Sequence, residues 1–215
     1  PNILALPAYQ RGLLEPQDEG SQLVGLLLDA QPSPSETILD FCAGAGGKTL
    51  LLADVTRDLA TIHAHDPDPE RLERLRQRAS RAGFTSIRVG SLPSTPCDRV
   101  LVDAPCSELG ALRRGPDLRW RIDPSSLASF PSLQRSILDS ASLHVRPGGR
   151  LVYATCTILR TENEEVCHAF EQTHPSFRRE PPFPASCATP DGFFRVLPHL
   201  HGTDGFFAAV WTRVV

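Results

Sequence analysis

Two cysteines in this sequence stand where a thiol could act as a nucleophile. Cys106 lies in the segment DAPCS, shortly after Asp103, and Cys156 lies in the segment YATCT. Each segment follows an apolar run typical of a buried strand, so the pattern predicts two thiols at neighbouring strand ends with a carboxyl group between them. Either motif alone is more simply explained as a turn with a packed cysteine. Together they indicate nucleophilic chemistry, and packing roles are assigned to the other cysteines: Cys42, Cys97, Cys167 and Cys187.

A glycine-rich segment, DFCAGAGGKT at residues 40–49, follows the first predicted strand and begins a helix. Glycines there let the backbone approach a ligand and expose amide N–H groups. A P-loop would need glycine where Cys42 stands, and the dinucleotide fingerprint would need it where Thr49 stands. An acid about twenty residues later, Asp66, is placed to accept hydrogen bonds from two ribose hydroxyls. The combination favours a nucleoside cofactor; the alternative is a plain strand-to-helix turn.

Positive charge is concentrated in the segment LRRGPDLRWR at residues 112–121. Arginine neutralises phosphate and stacks on bases, and tryptophan offers a further stacking surface. The whole chain carries a net charge of −3, so nucleic acid would have to be bound by a local patch. The segment is the best candidate for an RNA contact, the alternative being a solvated basic loop. Its candidate residues are Arg113, Arg114, Arg119, Trp120 and Arg121.

Alternating strands and helices must position these residues. Strands are predicted at residues 37–42, 61–66, 86–89, 99–103, 151–155, 193–197 and 206–212, and helices at 20–30, 48–55, 69–82, 127–145 and 162–173. This order predicts an α/β fold with a largely parallel sheet and helices on both faces. Ligands of such sheets bind beyond the carboxyl ends of the strands, where the segments described above fall. Residues 104–126 lack periodicity, which indicates an active-site and RNA-binding loop over that edge.

Composition limits the class of protein. Hydrophobic residues make up 40% and charged residues 22% of the 215 residues, which is typical of a globular chain. We expect one domain over residues 1–215, with residues 1–19 as a lead-in segment. No apolar run approaches the roughly 20 residues of a membrane span, and no leader is visible, so a cytoplasmic location is expected. The absence of methionine and the start at Pro1 predict a fragment or a processed chain.

The cysteine spacing argues against a metal or disulfide framework. No pair has C-x-x-C spacing, so we expect no structural zinc site. A chain of this length can build its own core without disulfides, and reduced thiols are the expectation.

Taken together, the motifs resemble the RNA cytosine carbon-5 methyltransferases of the Sun/Fmu (RsmB-like) type over nearly the whole chain. Residues 17–19 (QDE) are similar to the family's entry motif, and DFCAGAGGKT resembles its cofactor turn, usually D-L-C-A-A-P-G-G-K-T. The later motifs are DAPCSELGALRRGPDLRW, VRPGGRLVYATCTILRTENEEV and, at residues 204–207, DGFF. The pairing of the Pro-Cys and Thr-Cys motifs is highly specific to this family.

The resemblance implies a fold, a reaction and a substrate. The fold would be a Rossmann-like, S-adenosylmethionine-dependent methyltransferase domain with a mostly parallel, seven-stranded sheet. The protein would be a monomer that methylates carbon 5 of cytidine in RNA, with ribosomal RNA as the first expectation. Transfer RNA is an alternative substrate. The accessory RNA-binding domain common in the family is not among these residues.

The resemblance also implies roles for individual residues. Cys156 would attack carbon 6 of cytosine, which makes carbon 5 enamine-like and able to attack a methyl sulfonium. Cys106 would assist release of the adduct, and Asp103 would bind the cytosine edge and polarise or protonate its ring nitrogen. Lys48, the only lysine, would place positive charge near the thiol. The implied cofactor-binding residues are Cys42, Ala43, Gly44, Ala45, Gly46, Gly47, Lys48, Asp66, Ser91 and Asp103.

The sequence departs from the family pattern at two places. Residues 44–46, Gly-Ala-Gly, replace the usual Ala-Pro-Gly, which predicts a looser turn. Ser91 stands where the family usually has an acid that contacts the adenosine part of the cofactor.

Two other functions stay open on the residues alone. A non-catalytic RNA-binding or ribosome-assembly module could keep the fold, and a nicotinamide oxidoreductase is opposed by the missing third glycine.

Overall fold

The strands of this protein form one mixed sheet. The structure, a computed structural model, describes residues 2–215 apart from the side chains of Arg121 and Pro124. The strands are β1 (Thr37–Asp40), β2 (Thr61–Ala64), β3 (Ile87–Val89), β4 (Cys97–Asp103), β5 (Val145–Thr155), β6 (Phe177–Glu180), β7 (Phe194–Val196) and β8 (Phe206–Arg213). Seven of them follow the order β3-β2-β1-β4-β5-β8-β6, and the short β7 pairs with β8.

Helices cover both faces of the sheet. They are α1 (Pro7–Gln10), α2 (Glu19–Leu26), α3 (Gly47–Val55), α4 (Pro69–Ala82), α5 (Leu118–Arg121), α6 (Pro124–Leu127), α7 (Phe130–Ser142), α8 (Glu164–Thr173) and α9 (Pro198–His201). Single 3₁₀ turns lie at Ile3–Ala5, Leu109–Ala111 and Ala185–Cys187. Across residues 2–215, no helix has the length and apolar character needed to cross a membrane.

Strand direction decides where the strand ends meet. β1 pairs in parallel with β2 and β4, β2 with β3, and β4 with β5, whereas β8 is antiparallel to β5, β6 and β7. The carboxyl ends of β1, β4 and β5 therefore lie at one edge of the sheet. The predicted α/β fold with a largely parallel sheet is confirmed.

The middle strands are buried on both faces because they carry unbroken apolar runs. Val100, Leu101 and Val102 of β4 are fully buried. Alternation along the strand sends Val100 and Val102 into a core with residues of α7 and α8, and Leu101 into a second core with residues of α2 and α3. Packing on both faces thus fixes the position of the middle strands and of the residues at their carboxyl ends.

Helix α4 has the bounds that the sequence predicts. Asp68 accepts hydrogen bonds from the N–H groups of Glu70 and Arg71 at its start, and Gly83 ends it with a φ of +78°. Leu72 and Leu75 are buried, so the charged residues between them face solvent.

The helix predicted at residues 127–145 is shorter than expected. It begins at Phe130 and ends at Ser142, and Val145 already belongs to β5, where it pairs with Cys97. The register then shifts, so that Arg150 pairs with Arg99. The proline and glycines at residues 147–149 therefore lie in an irregular stretch of β5 and are not what ends the helix. A helical pattern could not show that Val145 would be buried beside β4.

The loop at residues 104–126 is fixed to the sheet through its backbone. The N–H of Gly110 donates to the carbonyl of Cys156 at 2.8 Å, and the carbonyl of Gly110 accepts from the N–H of Gly205 at 2.9 Å. A Cβ at Gly110 would lie 2.2 Å from the Gly205 oxygen, so only glycine fits between these two backbones.

We therefore expect Gly110→Ala to displace the loop and to lower the free energy of unfolding by about 1–3 kcal/mol, as overpacking does elsewhere. Denaturant unfolding measures the change. Gly115→Ala is the matched control, because the nearest atom to its added Cβ is 3.8 Å away. Equal stability of the two variants would contradict the close approach.

Candidate active site

A cavity of about 410 Å³ opens at the carboxyl edge of β1, β4 and β5. Most of the residues that the sequence predicts for catalysis and cofactor binding line it, namely Cys42, Ala43, Gly44, Ala45, Gly47, Lys48, Asp66, Asp103, Cys106 and Cys156. They come from four chain segments, at residues 42–48, 66, 103–106 and 156, and the parallel pairing of the strands brings them together.

The two thiols are in contact. The sulfur atoms of Cys106 and Cys156 lie 3.4 Å apart, and both residues are partly buried and free of disulfides. The shared hydrogen bond with Cys106, followed by burial and the negative charges of Asp103 and Glu108, raises the pKa of the Cys156 thiol well above its usual range. These surroundings therefore disfavour the thiolate form of Cys156.

The lysine is paired with the aspartate rather than with a thiol. Lys48, in the first turn of α3, donates from Nζ to Oδ2 of Asp103 at 2.6 Å, and it also lies 5.2 Å from the centre of the Phe206 ring. The Lys48 side chain is almost fully buried, whereas 31% of the Asp103 side chain is exposed, on the cavity side. This ion pair fixes the direction of the Asp103 carboxylate.

The glycine-rich turn is held by the predicted ribose-binding acid. Asp66 accepts from the N–H of Gly44 at 2.9 Å through Oδ2 and from the N–H of Asp68 at 2.9 Å through Oδ1. Each carboxylate oxygen has a second lone pair, so the same group can still accept from a ligand. Gly46 has a φ of +91°, and a Cβ there would lie 2.6 Å from Cγ of Leu75, which explains the glycine.

Two predicted cofactor residues are not among the described residues that line the cavity. Gly46 packs against α4, as its contact with Leu75 shows. Ser91 shares a hydrogen bond of 3.2 Å with Nδ1 of His63 and donates to the carbonyl of Arg88 at 3.3 Å. Its hydroxyl is therefore directed to local partners in this structure.

Sequence analysis did not name several residues that line the cavity as site residues, among them Gln17, Asp40 and Glu108. Gln17 and Asp40 stand inside recognised motifs, so their position could have indicated them. Glu108 also stands inside a recognised motif, DAPCSELGALRRGPDLRW, but its φ of +58°, unusual for a residue with a side chain, is visible only in the folded chain.

Asp40 is the most unusual of the three. It is almost fully buried and accepts from the hydroxyl of Thr49 at 2.7 Å through Oδ2, while Oδ1 has no hydrogen-bond partner. Burial is the main cause that raises the pKa of Asp40 from 3.8 to about 7, with the nearby Asp103 and Asp66 adding to it. An unsatisfied buried oxygen in a cavity wall is suited to accept a hydrogen bond from a ligand.

The basic segment divides into two parts. Arg113 and Arg114 pair with the buried carboxylates of Asp18 and Asp204, and so tie the loop to the start of α2 and to the turn before β8. Arg119 instead lies 5.0 Å above the ring of Trp120, whose surface is 79% exposed. The side chain of Arg121, also predicted to contact RNA, lies outside the part of the chain that the structure describes.

We expect Asp40→Asn to reduce the pH dependence of stability. With a pKa raised to about 7, the folded state keeps a proton that the unfolded state loses above about pH 4. Stability of the unchanged protein should therefore fall as the pH rises from about 4 to 7, by at most about 1.4 kcal/mol per pH unit. The asparagine keeps an acceptor for Thr49 but does not titrate.

Urea unfolding at a series of pH values measures this difference. The variant should gain stability relative to the unchanged protein across that window and should gain nothing further above it. A difference that stays constant from acid to neutral pH would contradict the raised pKa of Asp40.

Comparison with known proteins gives a consistent picture. A family model described as 16S rRNA methyltransferase RsmB/F matches residues 26–212. A protein of Synechocystis named probable ribosomal RNA small subunit methyltransferase B is 40% identical over 96% of this chain and 49% of its own length. A Bacillus subtilis protein of the same name is 38% identical over 93% of this chain and 47% of its own length. The chain thus spans about half the length of these curated relatives.

A solved structure extends the likeness to the fold. The crystal structure of NSun6 from Pyrococcus horikoshii with SFG has a TM-score of 0.88 and 27% identity to this chain, and the match covers 100% of this chain and 57% of that one. The resemblance inferred from the motifs is therefore confirmed. The chain belongs to the 16S rRNA methyltransferase RsmB/F family.

Proposed function

We propose that this chain is the catalytic part of an S-adenosylmethionine-dependent methyltransferase that modifies carbon 5 of cytidine in ribosomal RNA through a covalent cysteine adduct. The observation that carries the proposal is the contact of 3.4 Å between the thiols of Cys106 and Cys156, at a cavity that Asp103 also lines. Membership of the RsmB/F family supports the transfer of a methyl group to ribosomal RNA.

The cavity residues fit the cofactor. The cavity has a volume of about 410 Å³, which lies within the range of small-molecule sites. Asp66 would accept from the ribose hydroxyls, the backbone of the glycine-rich turn would lie against the nucleoside, and the unpaired Oδ1 of Asp40 would accept from the ammonium group. When bound, the cofactor supplies an electrophilic methyl group on a positively charged sulfur.

Cytosine needs activation because its carbon 5 is a weak nucleophile. Addition of the Cys156 sulfur to carbon 6 makes carbon 5 enamine-like, and carbon 5 can then take the methyl group. Asp103, oriented by Lys48, would hydrogen-bond the cytosine edge and polarise ring nitrogen 3. Loss of the carbon-5 proton and breakage of the sulfur–carbon bond, which Cys106 assists, complete the reaction.

Because the pKa of Cys156 is raised in the free protein, binding of the substrate base would help to activate the thiol. A base that enters between the two sulfurs breaks their shared hydrogen bond, which is the largest cause of the raised pKa. The thiol then ionises more easily when the base is in place. The base must be unstacked from the RNA to reach it.

The two cysteines should behave differently when replaced. Cys156→Ala should abolish methyl transfer and form no covalent complex with RNA, because no other sulfur is assigned to attack carbon 6. Cys106→Ala should still attack but fail to release, and should accumulate a denaturant-resistant protein–RNA adduct. Denaturing gels with labelled ribosomal RNA fragments measure both outcomes.

The double variant is the control, since the adduct in Cys106→Ala must vanish when Cys156 is also replaced. Trapping in Cys156→Ala alone would mean that the roles are reversed. Adducts in neither variant, with methyl transfer unaffected, would refute the covalent mechanism.

Replacing different arginines of the basic segment should affect RNA affinity in one case and stability in the other. Arg119→Ala should weaken RNA binding and reduce the slope of log affinity against log salt by roughly 0.7–0.9, with little change in unfolding. Arg114→Ala should instead lower the free energy of unfolding by about 1–3 kcal/mol, because the fully buried Asp204 loses a partner.

Salt titration of RNA binding and denaturant unfolding on both variants provide the comparison. An unchanged salt slope in Arg119→Ala would show that the exposed arginine and Trp120 form only a solvated surface.

A further inference from the structure

One buried carboxylate is hydrogen-bonded to the residues that follow the two cysteines. Glu162, between β5 and α8, is fully buried. Its Oε1 accepts from the hydroxyls of Ser107 at 2.5 Å and Thr157 at 3.1 Å. Its Oε2 accepts from the N–H of Ser107 at 3.0 Å and from the side-chain amide of Gln134 at 2.9 Å.

The partners of Glu162 follow the two cysteines directly. Ser107 comes after Cys106 and Thr157 after Cys156, and the hydroxyls of Ser107 and Thr157 are 2.8 Å apart. The side-chain amide of Gln134 also donates to the carbonyl of Pro105 at 2.9 Å. A single carboxylate therefore links both segments that carry a thiol, and the Cys106 segment is held on both sides of the cysteine.

Glu162 is itself fixed to the sheet. The phenol of Tyr153, in β5, donates to the backbone carbonyl of Glu162 at 2.6 Å. The neighbouring Asn163 accepts from the hydroxyl of Thr155 at 2.5 Å and donates to the carbonyl of Thr157 at 3.0 Å. The position of the carboxylate relative to the end of β5 is thereby set.

The chemistry of the partners points to positioning rather than to simple stability. In the described part of the chain, all hydrogen-bond partners of the carboxylate are neutral donors. Burying a carboxylate without a cation is costly, and apolar packing would fill the same space at lower cost. An acceptor-only group does what packing cannot, since it draws several donors from separate segments to one point.

We propose that Glu162 is a positioning residue that holds the thiols of Cys106 and Cys156 in contact, so that attack and release act on the same base. The consequence for catalysis rests on the proposed function, whereas the effect on the distance between the sulfurs does not. The first test therefore uses no RNA.

Oxidative cross-linking reports the distance between the sulfurs. Diamide, an azo oxidant, takes up the two protons and two electrons that the thiols release as they form a disulfide, which requires the sulfurs to approach from 3.4 Å to bonding distance. In Glu162→Ala, the rate of Cys106–Cys156 cross-linking, mapped by mass spectrometry, should fall at least about tenfold. Circular dichroism first confirms that the variant is folded.

Two further variants make the test specific. Glu36→Ala is the matched control, since Glu36 is also buried and hydrogen-bonded but lies before β1, at the opposite edge of the sheet. It should leave the cross-linking rate within about twofold of the unchanged protein. Glu162→Gln should restore most of the rate, because an amide oxygen can accept from Ser107 N–H and Gln134 while the amide N–H₂ donates to the two hydroxyls.

If Glu162→Ala does not fold, Thr157→Val removes one hydroxyl of the cluster at nearly constant size and should slow cross-linking by a smaller factor. An unchanged rate in the folded Glu162 or Thr157 variant would overturn the proposal. So would equal slowing in the Glu36 control, which would mark the effect as a general loss of stability, or slow cross-linking in the unchanged protein.

A second measurement separates this proposal from the proposed function. In the Cys106→Ala background, Glu162→Ala should lower the rate of RNA adduct formation by about a hundredfold while cofactor affinity stays within about twofold, because Asp66 and its turn lie elsewhere. If no adduct forms with any RNA but cross-linking still depends on Glu162, the proposed function fails and the positioning role stands. If adduct formation is normal in the Glu162 variant, the positioning role is refuted.

Discussion

The parallel pairing of β4 with β5 is the constraint on which the site depends. Asp103 pairs with Ala154 in that register, so the chain leaves both strands at the same height. The turns that follow then bring Cys106 and Cys156 to 3.4 Å from each other. A slip of one residue in this pairing would turn the side chains of one strand to the opposite face and separate the thiols.

Negative charge at this edge of the sheet disfavours ionisation of the Cys156 thiol. Asp40, Asp66, Asp103 and Glu108 all line the same cavity, and Lys48 is the cation that pairs with one of them in the described chain. The acids suit a cofactor that carries positive charge on its ammonium and sulfonium groups. The hydrogen bond with Cys106 and burial are the main causes that raise the pKa of the Cys156 thiol, and the charges of Asp103 and Glu108 raise it further.

Interactions at a distance from the cavity hold the loop at residues 104–126, whose first residues line the cavity. The carboxylates of Asp18 and Asp204 anchor two arginines, and the backbone of Gly110 is bonded to Cys156 on one side and to Gly205 on the other. The loop therefore has its position set by the ends of the chain as well as by β5. Arg113 and Arg114 form ion pairs that hold the loop, whereas Arg119 and Trp120 are exposed.

Sequence by itself determined the α/β order, the bounds of α4, the glycine-rich turn and the two cysteine motifs, because these depend on local periodicity, capping and short-range spacing. Tertiary structure alone decided which residues meet. The edge strand β6 carries charged residues and gave no apolar pattern, and β5 begins at Val145 because β4 is there to pair with it. The pairing of Lys48 with Asp103, the open oxygen of Asp40 and the position of Glu162 between two loops all join segments distant in the chain, and no local pattern records such contacts.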